Sequence, residues 1–209
     1  KLQEIEKNLD KVWPEGKNER KLIETIWKLL LHSDDEEIKS KIINYVDSNS
    51  MTLAKAALNS FSRINCPERK IISNIFFNKW KNNSVVLDSW FSFNASIEID
   101  EKTSSIEKLF ENNFFDSKSP NTLRAILNTF VTRNSTFHAM DGSGYKYIAK
   151  KIIDFDKLNP IVISRFVKVF SRYNYYSDPY KSNMVETIKQ IKKNKLSTNT
   201  KEVLDAIID

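Results

Sequence analysis

Apolar residues recur every three to four positions along nearly the whole chain, and no stretch sustains the strict alternation of a half-buried strand. A spacing of three to four positions places apolar side chains on one face of an α-helix. The sequence therefore predicts an all-α fold of about eleven or twelve helices. Their expected ranges are 2–12, 18–31, 34–48, 52–64, 67–81, 84–94, 103–112, 120–133, 143–154, 160–175, 179–193 and 198–208.

Several helix starts are marked by a residue whose side chain can cap the first turn. Proline suits the next position, because it lacks only an N–H that would have no partner there. The pairs of this kind are Ser119-Pro120, Asn159-Pro160, Asp178-Pro179 and, with a weaker cap, Cys66-Pro67. Ser33 and Glu36 have the spacing of a capping box, and Ser197 is expected to cap the last helix.

The links between predicted helices are short, which favours antiparallel neighbours stacked as helical hairpins. We expect a right-handed superhelical solenoid of armadillo/HEAT-like helix pairs, with a globular helical bundle as the alternative. No internal domain boundary is visible, so residues 1–209 are predicted to form a single domain.

Two predicted helices carry a second stripe of side chains away from their apolar face. In helix 120–133 the stripe is Asn121, Arg124 and Asn128, and in helix 160–175 it is Ile161, Arg165, Lys168 and Arg172. Both stripes include an arginine in the N-terminal half of the helix, where a positive charge opposes the helix dipole. The five donors of arginine suit carboxylates and carbonyls, which would fit a channel wall that orients a peptide. The alternative, which the pattern alone favours, is that the arginines face solvent or pair with acids on neighbouring helices.

Composition narrows the function classes. Only 3 Gly and 5 Pro are present, which disfavours a turn-rich β fold and a glycine-rich phosphate loop. The formal charge is +6, and its densest cluster is Lys189, Lys192, Lys193 and Lys195. A nucleic-acid patch is one interpretation, but lysines also suit a helix C-terminus, and we expect no nucleic-acid partner.

Localisation and redox state are indicated only indirectly. The single cysteine, Cys66, rules out an internal disulfide and fits a reducing, cytoplasmic location. No window approaches the ~18 uncharged apolar residues of a membrane span, so no membrane partner is expected. The first residue is Lys1 rather than Met, which suggests an excised or processed piece.

The residues of a catalytic centre are missing from the sequence. There are two histidines, His32 and His138, without an HExxH pair or a Cys/His cluster of zinc-ligand spacing. His138 is expected to be packed and hydrogen-bonded. The run 141–144 (DGSG) lacks the lysine and the preceding strand of a phosphate loop, so it is predicted to be a tight loop that starts a helix.

Five blocks in chain order carry a family resemblance: Ser50-Met51-Thr52 with Ala56-Ala57-Leu58, Trp80 with 85–91, 119–125, 137–145 and 159–165. They resemble the MT…AAL, LVMDKWF, NPNRxR, FHAxDGSGY and NPQVASR segments of the bacterial aminopeptidase N family, in the family's order. The 137–145 block, FHAMDGSGY, is the most specific. Residues 50–209 match well, and residues 1–49 match loosely.

The resemblance implies that the chain is the C-terminal armadillo/HEAT-like domain of a four-domain zinc metallopeptidase. The zinc ligands of HExxH and the GAMEN segment would lie in an upstream thermolysin-like catalytic domain, which would be the partner of this chain within the same polypeptide. No cofactor is expected in this chain, and the chain alone should be inactive. Its implied role is to cap the active site and line the channel for a peptide substrate.

The resemblance also implies specific channel residues. The asparagine and arginine of PN-x-x-R correspond to Asn121 and Arg124, and the arginine of NPQVASR corresponds to Arg165. The glutamine of that segment is replaced here by Ile161, which would make the channel wall more apolar. A stand-alone helical-repeat scaffold for protein–protein interaction is the alternative function.

Overall fold

The computed structural model describes residues 5, 7–9, 15–33, 35–98 and 103–208. This part of the chain contains eleven α-helices and no strand, which confirms the all-α prediction. The helices are α1 (Lys17–Leu30), α2 (Glu36–Val46), α3 (Met51–Ser60), α4 (Glu68–Trp80), α5 (Ser84–Ala95), α6 (Ser104–Phe110), α7 (Pro120–Arg133), α8 (Ser143–Phe155), α9 (Pro160–Val167), α10 (Tyr180–Lys192) and α11 (Thr198–Ile207). Short 3-10 helices span Leu31–Ser33, Ser135–His138 and Lys168–Tyr175. The helix predicted over 2–12 falls mostly outside the described residues.

The chain divides into two compact units, Lys1–Asn94 and Ala95–Asp209. In the first unit, α3 packs against both α1 and α2. Its core contains Trp27, Leu53 and Phe76, all essentially inaccessible to solvent. These side chains come from the apolar face that the helical spacing predicted for each helix.

A buried cation also joins helices of the first unit. Arg69 at the start of α4 is 2% exposed, and its Nη1 donates to the backbone oxygen of Phe61 at 2.6 Å. Its Nη2 donates to the backbone oxygen of Phe93 in α5, and the guanidinium lies 3.9 Å from the centre of the Phe93 ring. Burial lowers the pKa of Arg69 to about 10, so hydrogen bonds and ring contact must offset the loss of water around this charge.

In the second unit, α7 packs against α9, α8 against α10, and α9 against α11. Phe130, Tyr145, Ile163 and Phe170 are among its fully buried residues. The pairing of α7 with α9 brings together the two helices that the sequence predicted to carry arginine stripes.

Two predicted caps are confirmed. The Ser119 hydroxyl accepts from the backbone N–H of Thr122 at 3.3 Å, and the Ser197 hydroxyl accepts from that of Thr200 at 3.4 Å. Each satisfies an N–H that has no partner within the first turn. Ser119 thereby fixes the start of α7.

The predicted capping box of Ser33 and Glu36 is wrong. Asp35 caps α2, because its carboxylate accepts from the backbone N–H groups of Glu37 at 2.9 Å and Ile38 at 3.2 Å. Ser33 instead donates its hydroxyl proton to the carbonyl of Leu30 at 2.6 Å. A carboxylate at this position also complements the positive end of the helix dipole, which a serine does not.

The helix predicted over 160–175 is not continuous. The α-helix α9 ends at Val167 and the chain continues as a 3-10 helix over Lys168–Tyr175, in which Arg172 leaves helical geometry (φ −99°, ψ 16°). A 3-10 helix turns 120° per residue instead of 100°, so the side chains after Val167 point in directions that an α-helical projection does not give.

Candidate functional site: a cationic groove between α7 and α9

A groove of about 490 Å³ lies in the second unit, along α7, α9 and the 3-10 helix that follows. Three of its lining residues are basic: Arg124 from α7, Arg165 from α9, and Lys168 from the first position of the 3-10 helix. Asn128 and Thr132, both on α7, complete the polar part of the lining. Two parts of the chain, α7 and the continuous run from α9 into the 3-10 helix, therefore place cations on the same groove.

The rest of the lining is apolar. Val131 comes from α7, Val162 and Phe166 from α9, and Val169 from the 3-10 helix. Val162 and Phe166 are buried, whereas Arg124 and Arg165 are exposed. The groove thus has an apolar floor with positively charged groups that solvent and ligands can reach.

The cations of the groove have no negative partner in the described part of the chain. Arg124 donates from Nη1 to the side-chain oxygen of Asn121 at 3.3 Å, which is a neutral acceptor. Neither Arg165 nor Lys168 forms an ion pair there, and the lining contains no Asp or Glu. Pairing with acids on neighbouring helices, considered above as one explanation of these arginines, is therefore not what the described residues show.

Two of the four predicted site residues, Arg124 and Arg165, line the groove together. Asn121 lies outside the lining and contacts it through Arg124. Ile161 is 61% exposed and is not part of the lining. The role of all four in a substrate channel stays a prediction.

Other lining residues were not among the predicted site residues. Asn128 and Lys168 belonged to the polar stripes, and Thr132 lies four residues after Asn128, so extending the first stripe by one helical turn would have found it. The apolar floor carries no such pattern, because its residues look like ordinary core positions in the sequence.

A hydrogen bond links the segments that precede the helices of the two arginines. Asn159 was predicted to cap α9, but its side chain makes no capping bond and instead donates from Nδ2 to the carbonyl of Ser117 at 2.7 Å. This contact ties the start of α9 to the segment that leads into α7. Because Arg124 and Arg165 lie a similar distance from these two helix starts, both side chains reach the same groove.

The DGSG run forms the tight loop that the sequence predicted. Gly142 has φ +72°, a left-handed conformation that favours glycine, and the Asp141 carboxylate accepts from the backbone N–H of Ser143 at 2.9 Å. Gly144 is required for a different reason. A Cβ there would lie 2.3 Å from the carbonyl oxygen of Thr136 and 2.4 Å from that of Phe137.

His138 is packed and hydrogen-bonded, as predicted. Its Nδ1 and the hydroxyl of Tyr145 are hydrogen-bonded at 2.7 Å, and its ring stacks on Tyr176 at 5.2 Å between centroids. Burial lowers the pKa of His138. Burial, followed by the neighbouring Tyr176 and Tyr180, raises the pKa of Tyr145 to about 12. The pair is therefore neutral near pH 7 and holds the loop before α8 against the segment after the 3-10 helix.

A second polar cluster joins α6 to α8. The ammonium of Lys151, which is 4% exposed, lies 2.7 Å from Oε2 of Glu107 and 4.2 Å from the centre of the Phe110 ring. Tyr147 donates its hydroxyl proton to the same carboxylate oxygen at 2.8 Å. Burial alone would raise the pKa of Glu107, but the hydrogen bonds from Lys151 and Tyr147 outweigh it and hold that pKa below its ordinary value. The charges of Lys151 and Glu107 therefore pair with each other within the cluster.

Neither a metal centre nor a membrane span is found in the described residues. No group of three or more His, Cys, Asp or Glu side chains there is arranged to hold a metal ion, so these residues do not fit the zinc that the resemblance implies for the family. No helix in the described ranges has the length and apolar character needed to cross a bilayer.

Comparison with known proteins matches the resemblance seen in the sequence. The family described as "Domain of unknown function (DUF3458_C) ARM repeats" matches residues 3–209. Aminopeptidase N of Escherichia coli is 29% identical over 147 residues, which are 70% of this chain and 17% of that protein. Aminopeptidase N of Haemophilus influenzae is 26% identical over 149 residues, which are 71% of this chain and 17% of that protein.

A solved aminopeptidase structure also matches the fold of this chain. The crystal structure of Legionella pneumophila aminopeptidase A in complex with aspartic acid matches with a TM-score of 0.81 and 28% identity, over 91% of this chain and 23% of that chain. The chain thus spans about a sixth of the length of the curated relatives it matches. It belongs to the DUF3458_C family of ARM-repeat domains and is homologous to the C-terminal region of aminopeptidase N.

Proposed function

We propose that this chain is the non-catalytic C-terminal domain of a zinc aminopeptidase and that its groove contacts the peptide substrate. The observation that carries the proposal is the convergence of Arg124 and Arg165, from two different helices, on one groove whose described lining holds no acidic residue. The homology to the C-terminal region of aminopeptidase N supports the same role.

The chemistry of the groove suits an extended peptide. Each guanidinium presents donors in a fixed fork that matches peptide carbonyls and carboxylates. The guanidinium of Arg124 is restrained by its hydrogen bond to the side-chain oxygen of Asn121. The apolar floor formed by Val162 and Phe166 can pack peptide side chains. Ile161, beside the groove, would present an apolar surface to the substrate.

Bond cleavage is assigned to another part of the polypeptide. The zinc that activates water in this family would be held by an upstream thermolysin-like domain, which is the proposed partner of this chain. The contribution proposed for the residues described here is to bind and orient the peptide, which raises the effective concentration of the reacting groups.

The test uses the full-length polypeptide with Arg124→Ala and Arg165→Ala. For amidated tetra- to hexapeptides, each variant should raise KM about three- to tenfold, the loss expected for one charge-assisted hydrogen bond in a partly hydrated site. Hydrolysis of an aminoacyl-arylamide should change less, because that substrate offers the guanidinium groups fewer peptide carbonyls. Arg133→Ala is the matched control, since Arg133 is exposed on the same helix but does not line the groove.

Unchanged kinetics of both variants on every peptide would refute the proposal. The alternative, a stand-alone interaction scaffold, would be favoured if the coding sequence upstream of Lys1 lacked both HExxH and GAMEN. In that case this chain would have no catalytic domain to serve.

A further inference from the structure

We infer that the groove selects peptides that carry a carboxylate and that Lys168 is a specificity-determining residue of this site. The inference rests on the proposed function and deepens it by naming the substrate class. It starts from the three basic side chains on the groove, Arg124, Arg165 and Lys168, and from the absence of Asp and Glu among the described residues that line it.

Helix dipoles explain only part of this arrangement. Arg165 and Lys168 lie at the C-terminal end of α9, where positive charge is favourable. Arg124 lies near the N-terminal end of α7, where positive charge is unfavourable. Its position therefore calls for a different explanation, and a shared anionic ligand supplies one for all three residues.

Lys168 lies on the groove at the point where the helix changes its winding. It is the residue at which α9 ends and the 3-10 helix begins. Val169, the next residue, also lines the groove, while Phe170 is fully buried and anchors the segment. The backbone that carries Lys168 is thus fixed by packing, although its side chain is exposed.

The surroundings strengthen the field of these cations. The apolar floor reduces the local screening of the charges above it, and a concave surface concentrates their field. With no acid in the lining to neutralise it, a peptide carboxylate would be attracted by all three groups at once. A basic peptide side chain would be repelled for the same reason.

Two sources can supply the carboxylate: an acidic side chain or the C-terminus of a short peptide. The experiment uses the full-length polypeptide and amidated hexapeptides with Glu at the third, fourth or fifth position. Each is paired with the Gln peptide at the same position, and each Gln peptide is also made with a free C-terminal carboxylate. Initial rates of release of the first residue give kcat/KM at 20 mM and 500 mM salt.

We expect kcat/KM for at least one Glu peptide, or for the free-acid peptides, to exceed that of its neutral partner about three- to tenfold at low salt. The preference should shrink at high salt, where screening acts over about 3–5 Å. Lys168→Ala should reduce it about two- to fivefold, the value of one exposed ion pair, and Lys168→Glu should abolish or reverse it. Lys189→Glu is the control, since Lys189 is exposed on α10 and does not line the groove.

The two proposals fail in different ways. If Arg124→Ala and Arg165→Ala raise KM for neutral peptides but no carboxylate preference exists, the groove contacts substrate and the charge inference is overturned. A preference that Lys189→Glu lowers as much as Lys168→Glu would reflect the net charge of the protein and would also overturn it. If the arginine variants change nothing on any peptide, the proposed function fails and the inference fails with it.

Discussion

Gly144 provides a sharp test of the packing around the DGSG loop. Exchange of glycine for alanine inside a helix ordinarily stabilises a protein by about 1 kcal/mol, because alanine is the better helix former. Gly144 lies in the first turn of α8, so helix propensity alone predicts that Gly144→Ala is stabilising. The surrounding backbone predicts the opposite.

The magnitude follows from the contacts that the new methyl group would make. Its carbon would lie 2.3 Å and 2.4 Å from two backbone oxygens and 2.6 Å from the Cα of Phe137. Carbon–oxygen contacts need about 3.3 Å, so the 3-10 helix Ser135–His138 would have to move by about 1 Å. Phe137 is 1% exposed and cannot move freely. Overpacking of this kind costs about 1–3 kcal/mol and occasionally more, and the triple clash argues for a net loss of ~2 kcal/mol.

The assay is urea unfolding of Gly144→Ala followed by circular dichroism, which reports the helices of both units. Tryptophan fluorescence is unsuited to this variant, because all four tryptophans lie before residue 95 and Gly144 lies after it. Ser143→Ala is the control, and its stability should stay within about 0.5 kcal/mol of the wild type. A Gly144→Ala protein as stable as the wild type, or more stable, would show that the 3-10 helix does not press on α8 as described.

Two further predictions concern buried charges. Arg69→Met should lower the free energy of unfolding by about 2–4 kcal/mol, because the carbonyls of Phe61 and Phe93 lose their donor. Urea unfolding followed by tryptophan fluorescence measures this loss, and Arg63→Met is the control because Arg63 is exposed. A loss below ~1 kcal/mol would contradict the account. Because the pKa of Glu107 is lower in the folded chain than its ordinary 4.5, its carboxylate stabilises the fold above that pH, and the benefit is lost as the pH falls through the folded-state pKa. The urea midpoint of the wild type should therefore be higher than that of Glu107→Gln at neutral pH, and the two midpoints should converge as the pH falls towards 3. A difference in midpoint that stays constant from pH 3 to 7 would exclude a role for the Lys151 contact.

Most of the fold could be predicted from the spacing of apolar residues and from the residues that cap helices. The helical spacing predicted the all-α class and the order of the helices, because the buried face of each helix repeats at an interval that survives in the linear sequence. Ser119 was recognised as a cap because serine is a preferred N-cap residue and proline follows it, and Ser197 because serine is preferred at that position. Asp35 was missed because a serine and a glutamate nearby have the spacing of a capping box.

The site was only partly predictable, and the missing part depended on tertiary structure. Arg124 and Arg165 stood on polar stripes, but their meeting at one groove depends on the packing of α7 against α9, which includes a hydrogen bond between Asn159 and Ser117, 42 residues apart. Lys168 stood on the same stripe as Arg165, but its place on the groove depends on how α7 and α9 pack, which the sequence does not show. The sequence also could not show why residue 144 must be glycine, because the reason is its contact with the backbone of Thr136 and Phe137.

The physical argument for a ligand is that three cations share one concave surface without an acid among its described lining, whereas two other lysines of the same unit are paired. Lys151 pairs with Glu107 at 2.7 Å, and Lys192 pairs with Asp205 at 2.8 Å. The chain has 27 acidic residues, yet none of those that the structure describes lines the groove. Like charges on one concave surface repel each other, so this arrangement contributes nothing favourable to the fold by itself. An anionic ligand removes that repulsion by binding, and a peptide carboxylate has the charge and the hydrogen-bonding geometry to do so.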